Sequence, residues 1–160
     1  MMYTLRQVTE EDYDYLYALH VAAIREAVTA TWGWDEAFQR RYFEEHWDPG
    51  PRRVIVVDGE DVGVVQVEWY VHEVFLALIE VAPAWQGRGI GSAVIRDVQA
   101  QAREAGLPVT LQVLKANERA KALYERLGFG VVEEQEERWV MRWEEAEPRP
   151  RTADGSRRVF

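Results

Sequence analysis

The sequence predicts an α+β (α/β) fold, in which a mixed, mostly antiparallel sheet of six to seven strands is flanked by about four helices. Three observations support this prediction. Segments with strand and helix periodicity follow one another in the order β-α-α-β-β-β-α-β-α-β-β along the 160 residues. Glycine, proline and aspartate separate most of these segments, as turns require. One glycine-rich helix connects two buried strands, and such a connection joins parallel neighbours within an otherwise antiparallel sheet.

The N-terminal third predicts one strand and two helices. Tyr3–Val8 alternates weakly and is expected to be an edge or first strand. Thr9 and Asp12 resemble a capping box with Asp in place of Glu, which opens a helix that reaches about residue 29. The segment 31–34 interrupts that helix, and Asp35 caps a second one. The apolar face of the second helix is expected to carry Phe38, Tyr42 and Phe43.

The remaining elements are predicted from alternation, helical spacing and turn residues. A hairpin turn at 58–61 and a helix stop at Gly106 are the clearest breaks. The glycine-rich helix is expected to direct Ile90, Val94, Val98, Ala102 and Ala105 to one face. The other predicted elements are strands at Val54–Val57, Val62–Tyr70, Glu73–Val81, Val109–Leu114, near Phe129–Glu133 and at Arg138–Trp143, and a helix at Asn117–Leu127.

Composition excludes several classes of protein. The chain has no cysteine, which excludes disulfides, zinc–thiolate sites and a cysteine nucleophile. No long apolar run predicts a membrane span and no secretion signal is recognisable, so we expect a cytoplasmic protein without a membrane partner. The three histidines, at positions 20, 46 and 72, have no metal-ligand spacing and are interpreted as surface or packing residues; no metal is expected.

The chain is acidic, with a formal net charge of −9. Acidic surfaces repel phosphate backbones, so we expect no nucleic-acid partner. The charge suits a cationic substrate such as an amine, or serves solubility alone. We expect one domain over residues 1–144 and an exposed Pro/Arg-rich tail over 145–160. An exposed apolar edge strand near the C-terminus would allow a homodimer.

A glycine-rich segment, Gln86-Gly87-Arg88-Gly89-Ile90-Gly91, stands between a strand and a helix. Free N–H groups at a helix start bind anions, and glycines let the backbone approach a phosphate closely. Two common phosphate motifs do not fit. The dinucleotide motif requires glycine at position 92, which is Ser92, and the P-loop lysine is absent. The segment by itself therefore predicts only an anion site, or a plain glycine-rich turn.

Two blocks in register add to this signal. The first is Ile79-Glu80-Val81-Ala82-Pro83 followed by residues 86–92. The second is Leu111–Asn117 followed by Ala122-Leu123-Tyr124-Glu125-Arg126-Leu127-Gly128-Phe129. The first resembles the acyl-CoA signature of the GNAT superfamily of N-acetyltransferases, Q/R-x-x-G-x-G/A after a strand ending V-x-P. The second is similar to that family's strand–Asn–helix block ending A-L-Y-x-x-x-G-F. The matching blocks span 79–132, and the fold pattern extends the resemblance to 3–143.

The resemblance implies where acetyl-CoA would bind. The strand ending at Val81 would splay from its parallel neighbour, and the pantetheine arm would fill the gap and pair with backbone groups of Ile79 and Val81. Asn117 would contact the pantetheine, cap the following helix, or do both. The pyrophosphate would be held by the segment Gln86, Gly87, Arg88, Gly89, Ile90, Gly91 and Ser92.

The resemblance also implies catalytic roles. Tyr124 would protonate the departing thiolate, unless it is only a core tyrosine. Many relatives carry glutamate where this chain has Gln112, which cannot accept a proton. Glu80 is then the first candidate for a general base. The other candidates are Glu68, Glu73 and His72. Trp32 and Trp34 would wall the acceptor pocket, where aromatic rings suit an amine, or would plug the two N-terminal helices together.

These expectations predict an N-acetyltransferase that moves an acetyl group from acetyl-CoA to a primary amine, small molecule or peptide, by direct attack. One alternative is a non-catalytic acyl-CoA-binding regulatory module of the same fold, which Gln112 favours. A second alternative is an enzyme with a different phosphate ligand, such as a nucleotide.

Overall fold

The computed structural model describes residues 2–146 and confirms the predicted fold class. Most of the predicted tail, residues 147–160, lies outside the described residues. No helix within residues 2–146 is both long and apolar enough to cross a membrane.

Short 3₁₀ turns at Glu10–Asp12 and Pro83–Trp85 accompany the regular elements. The elements are β1 (Thr4–Gln7), α1 (Tyr13–Trp32), α2 (Glu36–Glu45), β2 (Arg52–Val57), β3 (Glu60–Trp69), β4 (Val74–Val81), α3 (Ile90–Ala105), β5 (Val109–Leu114), α4 (Glu118–Arg126), β6 (Gly130–Glu134) and β7 (Arg138–Trp143).

The seven strands form one sheet in the order β1-β2-β3-β4-β5-β7-β6. All neighbouring strands are antiparallel except β4 and β5, which the α3 crossover makes parallel, as predicted. That parallel pairing is short, since only Val74 with Val109 and Phe75 with Thr110 are partners. Beyond these pairs the two strands diverge. The sheet therefore has a gap at its centre rather than at an edge.

Each face of the sheet has its own core. On one face, α3 and α4 cover a cluster that includes Val94, Ile95 and Met141. On the other face, α1 and α2 cover a smaller cluster that includes Leu16, Phe43 and Val54. Because β4 and β5 lie between both layers, the gap in the sheet is enclosed by helices on its two sides.

Local signals that the sequence predicts are present. The Asp12 carboxylate accepts a hydrogen bond from the Thr9 N–H at 2.8 Å, which completes the capping box. The Asp35 side chain accepts from the Phe38 N–H at 3.0 Å and caps α2. The hairpin between β2 and β3 turns on Asp58 and Gly59, whose φ values of 52° and 78° are typical of a two-residue hairpin turn.

Three expectations about the helices are wrong in part. Helix α1 continues to Trp32, because the first residue that leaves helical geometry is Gly33 at φ 84°. In α2 only Phe43 is buried, whereas Phe38 and Tyr42 are exposed. The reason is that α2 packs through its Phe43 edge onto α1, where Tyr13 and Tyr17 meet the Phe43 ring. Ala105 is also exposed, at the end of α3.

Candidate active site

The gap between β4 and β5 forms a cavity of about 160 Å³. Its walls come from both faces of the sheet, since Ile24 and Ala27 belong to α1 whereas Tyr124 belongs to α4. The cavity therefore passes through the sheet. Between these ends it is lined by Leu76, Ala77, Leu78 and Ile79 of β4, by Leu111, Gln112, Val113 and Leu114 of β5, and by Asn117.

Backbone groups of β4 face this gap. The N–H of Ala82 donates to the Val62 carbonyl on β3 at 2.8 Å. Because the hydrogen-bonding direction alternates along a strand, Ile79 and Val81 direct their N–H and C=O groups away from β3, toward the divergent β5. The Gln86 side-chain amide donates to the Val81 carbonyl at 2.9 Å. The predicted pantetheine-pairing residues are thus positioned at the gap, and Gln86 ties the glycine loop to them.

The glycine segment forms a cradle at the start of α3. Gly87 and Gly89 have φ values of 77° and 83°, and a Cβ built on either would meet no atom within 4 Å. Within residues 2–146 no side chain caps α3, so the first-turn N–H groups of Ile90, Gly91 and Ser92 have no partner within the helix. Among the described residues this is an open helix start of the kind that binds phosphate oxygens.

Arg88 adds a positive charge to the rim of that cradle. Its guanidinium lies 4.6 Å from the centre of the Trp85 ring, on the 3₁₀ turn that precedes the glycines. Such stacking holds an arginine side chain without neutralising it. The loop therefore keeps a cation near the helix start while its own backbone stays free.

Tyr124 extends from α4 to the gap and packs edge-on against Phe129, with ring centroids 6.0 Å apart. Burial raises the pKa of the Tyr124 hydroxyl to about 12, with a smaller contribution from the charge of Glu80. The hydroxyl therefore keeps its proton and can donate a hydrogen bond into the gap throughout the neutral range.

Asn117 caps α4 and also lies at the gap. Its Oδ1 accepts from the Ala120 N–H at 3.2 Å, so it caps α4. The same residue lines the gap. A contact between its amide N–H₂ and the cofactor stays a prediction.

A second cavity, of about 100 Å³, lies on the α1–α2 face. Leu78 lines both cavities, and Glu80 follows it on the same face of β4. Glu80 is 7% exposed, and its Oε2 lies 2.6 Å from His20 Nδ1 on α1. The other residues of this cavity are Leu16, Tyr42, Phe43, His46, Arg52 and Val64.

His20 is the site residue that the sequence interpretation missed. It is expected at the surface or in packing, and instead its Nδ1 lies at hydrogen-bond distance from the carboxylate of the first candidate base. The two residues lie 60 positions apart, and no motif joins them. The one available signal was that His20 lies on the buried face of α1, four residues after Leu16.

Arg52 brings a positive charge to the second cavity. Burial lowers the pKa of its guanidinium, and the nearby charge of Glu80 opposes that shift. Its Nε donates to the Gln66 side chain at 3.2 Å. The cavity therefore contains a carboxylate and a guanidinium of opposite charge, with an imidazole beside the carboxylate.

The two tryptophans lie at the end of α1 and beyond it. Trp32 is exposed by half, with the Arg138 guanidinium 5.5 Å from its ring centre. Trp34 carries the Arg25 guanidinium at 4.9 Å and donates to Glu36 at 3.0 Å. Neither ring lines the two cavities described above. Their role at the acceptor stays a prediction.

Gln112 lines the gap, but its side chain is an amide and cannot act as a base. The other candidate bases lie away from both cavities. Glu68 accepts hydrogen bonds from the Gln66 amide and the Tyr70 hydroxyl. Glu73 and His72 lie at the β3–β4 turn. Neither cavity is lined by Glu68, His72 or Glu73, whereas Glu80 lines the second cavity.

Residues 10–129 match the sequence model of the acetyltransferase (GNAT) family. An uncharacterized N-acetyltransferase of Methanocaldococcus jannaschii is 30% identical over 148 residues, which covers 79% of this chain and 60% of that protein. The mycothiol acetyltransferase of Nocardiopsis dassonvillei is 42% identical over 77 residues, or 48% of this chain and 20% of that protein. The chain thus spans less than two thirds of the length of these curated relatives.

Solved structures share the fold. The PaiA N-acetyltransferase of Thermoplasma acidophilum, in complex with coenzyme A, superimposes with a TM-score of 0.70 at 15% identity, covering 91% of this chain and all of that one. The ribosomal-protein-S18-alanine N-acetyltransferase of Escherichia coli gives 0.59 at 20% identity, covering 91% and 97%. At these identities the likeness shows the fold alone.

Proposed function

Because the chain belongs to the GNAT acetyltransferase family, we propose that it transfers an acetyl group from acetyl-CoA to a primary amine by direct attack on the thioester. The observation that carries this proposal is the gap between β4 and β5, which shares Leu78 with the second cavity, while the glycine segment follows the end of β4. A pantetheine arm is long and narrow, and such a gap offers it unpaired backbone groups along one side. The chain's membership of the family supports the use of acetyl-CoA.

In this proposal the cofactor is held mainly by backbone. The pyrophosphate lies on the N–H groups from Gly87 to Ser92, with Arg88 at the rim. The pantetheine pairs with Ile79 and Val81, and Asn117 contacts it from the start of α4. An N–H of β4 near Val81 donates to the oxyanion of the tetrahedral intermediate.

Tyr124 stabilises the departing thiolate. With a pKa of about 12, its hydroxyl holds the proton more tightly than a thiol of about 8.5 does. Tyr124 therefore keeps its proton at neutral pH and is placed to donate it, or a hydrogen bond, to the departing thiolate.

The amine must lose a proton to react. A lysine-like ammonium has a pKa of about 10.4, so about one molecule in 10³ is free amine at neutral pH, which corresponds to about 4.6 kcal/mol. A base near the gap offsets that cost. We assign this function to Glu80, a buried carboxylate that lines the second cavity and acts either itself or through a neighbouring group. Trp32 and Trp34 are the proposed outer wall of the acceptor site.

The remaining expectations are proposals of the same kind. We propose one catalytic domain over residues 1–144, a cytoplasmic location, and an acceptor that is a small or peptide amine. A homodimer through β6 is supported by its position at the sheet edge, where Val131 and Val132 are exposed. The acidic net charge of −9 supports a cationic acceptor.

A non-catalytic acyl-CoA-binding module is the second candidate, and Gln112 favours it. The residue lines the gap, at a position where a catalyst would use a carboxylate.

One experiment separates the two candidate functions. The chain is incubated with acetyl-CoA and a panel of small amines, polyamines and peptides, and CoA release is followed. An enzyme releases CoA with at least one amine, whereas a module saturates with acetyl-CoA and releases none. Calorimetry with acetyl-CoA, ATP and NAD provides the binding control, and tight binding of a nucleotide without acetyl-CoA would overturn both candidates.

A further inference from the structure

The second cavity contains a pair of residues that fits a proton acceptor better than a single carboxylate does. His20 Nδ1 and Glu80 Oε2 are 2.6 Å apart, which is hydrogen-bond distance. The carboxylate is almost fully enclosed, with a side-chain exposure of 5%, while the imidazole is exposed by 25% and faces the cavity. Of the two groups, the imidazole is the one that a substrate or a water molecule can reach.

We propose that His20 is the catalytic base of this chain and that Glu80 is its positioning residue, an inference that rests on the proposed function. With Glu80 as a carboxylate, Nδ1–H donates to Oε2, and Nε2 is left with the free lone pair. Nε2 takes one proton from the alkylammonium, directly or through one water, and releases it to solvent. The neutral amine nitrogen then bonds to the acetyl carbon. As the C–S bond breaks with its electron pair on sulfur, the nitrogen loses its second proton, which reaches the thiolate through solvent.

Two elements bring the pair to the gap. On β4, Leu78 lines both cavities, and Glu80 lies two residues further on the same face, or about 7 Å along the strand. On α1, His20 lies one turn before Ile24, which lines the gap, so their Cβ atoms are about 6 Å apart. His20 is therefore one side chain away from the space that an attacking amine would occupy.

The second cavity also holds titratable groups from the elements that surround the pair. Besides His20 and Glu80, these groups are Arg52 from β2, Tyr42 from α2, and His46, which follows the end of α2. The positive charge of Arg52 already acts on Glu80. Contact with the Phe43 ring, at 5.6 Å between centroids, fixes the imidazole plane.

The test compares His20→Asn with wild type, and uses His72→Asn as the matched control at an exposed turn. For each protein, kcat/KM is measured across pH with two acceptors, an alkylamine and an amine of low pKa, together with the Kd of acetyl-CoA. We expect His20→Asn to lower kcat/KM for the alkylamine about 10²-fold or more and to change the pH profile. The low-pKa amine should show a much smaller loss, and the Kd should stay unchanged. His72→Asn should match wild type.

Two further variants keep the inference falsifiable if His20→Asn folds poorly. Glu80→Gln retains a hydrogen-bonding side chain but no charge, and we expect it to lose activity less than His20→Asn does. His20→Ala should regain turnover when imidazole is added, because the vacated space opens to the cavity.

The inference is overturned if His20→Asn has wild-type rates, or if both amines lose activity equally with an unaltered pH profile, since a purely structural role predicts that result. A wild-type chain that binds acetyl-CoA and acetylates no amine refutes the proposed function itself, and the base with it. If the wild-type chain acetylates an amine and His20→Asn does so at the same rate, the role of His20 as base is refuted and the proposed function is not.

Discussion

Burial of Tyr124 decides what that residue can do at the gap. Its pKa of about 12 lies above any ordinary assay range, so the hydroxyl does not ionise there. The residue therefore cannot produce a basic limb in a pH–rate profile. In the proposed reaction its hydroxyl is a fixed hydrogen-bond donor, and a donor aimed at developing charge is among the stronger sources of catalysis.

Tyr124→Phe removes the hydroxyl and keeps the ring that packs on Phe129. We expect kcat to fall about 10²-fold, since one donor to a developing charge is lost. The Kd of acetyl-CoA and the shape of the pH profile should remain those of wild type. Steady-state kinetics and calorimetry measure these values, with the exposed Tyr70→Phe as control. Unchanged turnover in Tyr124→Phe would rule out its role at the thiolate.

The two roles of Asn117 can be separated by one atom. Asn117→Asp keeps the oxygen that caps α4, and Asp is as good an N-cap as Asn, so the melting temperature should not change. It removes the N–H₂ donor and adds a negative charge at the gap, so the KM for acetyl-CoA should rise. Asn117→Ala should raise the KM and also cost about 1 kcal/mol of folding stability. An unaltered KM in Asn117→Asp would leave the residue as a cap alone.

The site residues that the sequence could indicate are those fixed by local backbone. The glycines from 87 to 91 and the Asn117 cap act through geometry that their own neighbours determine, so a motif can describe them. His20 could not be found in the same way. Its partner lies 60 positions away, and only the packing of α1 on β4 brings the two together.

Among the elements, the connection from β4 through the glycine loop to α3 carries most of the proposed cofactor site. The strand supplies free backbone groups, the loop supplies open space, and the helix supplies uncapped N–H groups. The loop depends on residues without side-chain bulk, since Gly87 and Gly89 have positive φ values. Gly63 extends the same dependence to β3, because a Cβ there would lie 2.3 Å from the Glu80 carbonyl oxygen.

Gly89→Glu should abolish acetyl-CoA binding, because it places a carboxylate where the pyrophosphate would lie. Gly89→Ala is the matched control. Both variants bear the strain of a non-glycine residue at φ 83°, about 1–2 kcal/mol, but only one adds charge. We expect the alanine variant to bind more weakly than wild type and the glutamate variant to show no binding by calorimetry, at similar melting temperatures. Equal affinities of the two variants for acetyl-CoA would show that the pyrophosphate does not bind at Gly89.

A second group of contacts joins β1, the start of α1 and the β2–β3 hairpin. The Arg6 guanidinium bonds both oxygens of Asp12, at 2.9 and 3.0 Å, and also bonds Asp61. The hydrogen bond from Arg6 is the main reason that the pKa of Asp12 is lowered from its ordinary value. A carboxylate whose pKa is lowered by folding stabilises the fold at any pH above its unfolded-state pKa. That stabilisation is lost as the pH falls through its folded-state pKa.

Asp12→Asn should therefore lower the melting temperature near neutral pH and have little effect in acid. We expect a loss of about 1 kcal/mol, since Arg6 is partly exposed and solvent screens the pair. The difference from wild type should shrink below about pH 4, where the unfolded-state carboxyl is protonated. Thermal unfolding across pH measures this, with the exposed Asp14→Asn as control. A difference that persists in acid would mean that the charge is not the cause.

At the scale of the whole molecule, the order of elements was predictable and the strand order was not. Alternation and helical spacing locate each strand and helix to within a few residues, and the glycine-rich crossover predicts one parallel pair. The placement of β7 between β5 and β6 depends on long-range pairing that no local pattern encodes. The same holds for the early divergence of β4 and β5, and for the bulge between Gln66 and Val67.

The charge of the molecule is unevenly matched to its two proposed substrates. The chain carries 28 acidic and 19 basic residues, so a cationic amine is attracted to it and an anionic cofactor is repelled at long range. In the proposed function, the binding of acetyl-CoA therefore depends on the positive charge of Arg88 and the partial positive charge at the start of α3, which act only at short range.

This contrast predicts opposite salt dependences. Raising ionic strength from about 0.01 M to about 0.3 M shortens the screening length from about 30 Å to below 10 Å. We expect kcat/KM for a cationic amine to fall by about two- to tenfold over that range, because steering by the net charge is screened. For acetyl-CoA the value should rise or stay constant. An acceptor that is mostly uncharged at the assay pH is the control, and its kcat/KM should not change. If the cationic amine and the uncharged one respond alike, the acidity of this chain plays no part in acceptor recognition and contributes to solubility alone.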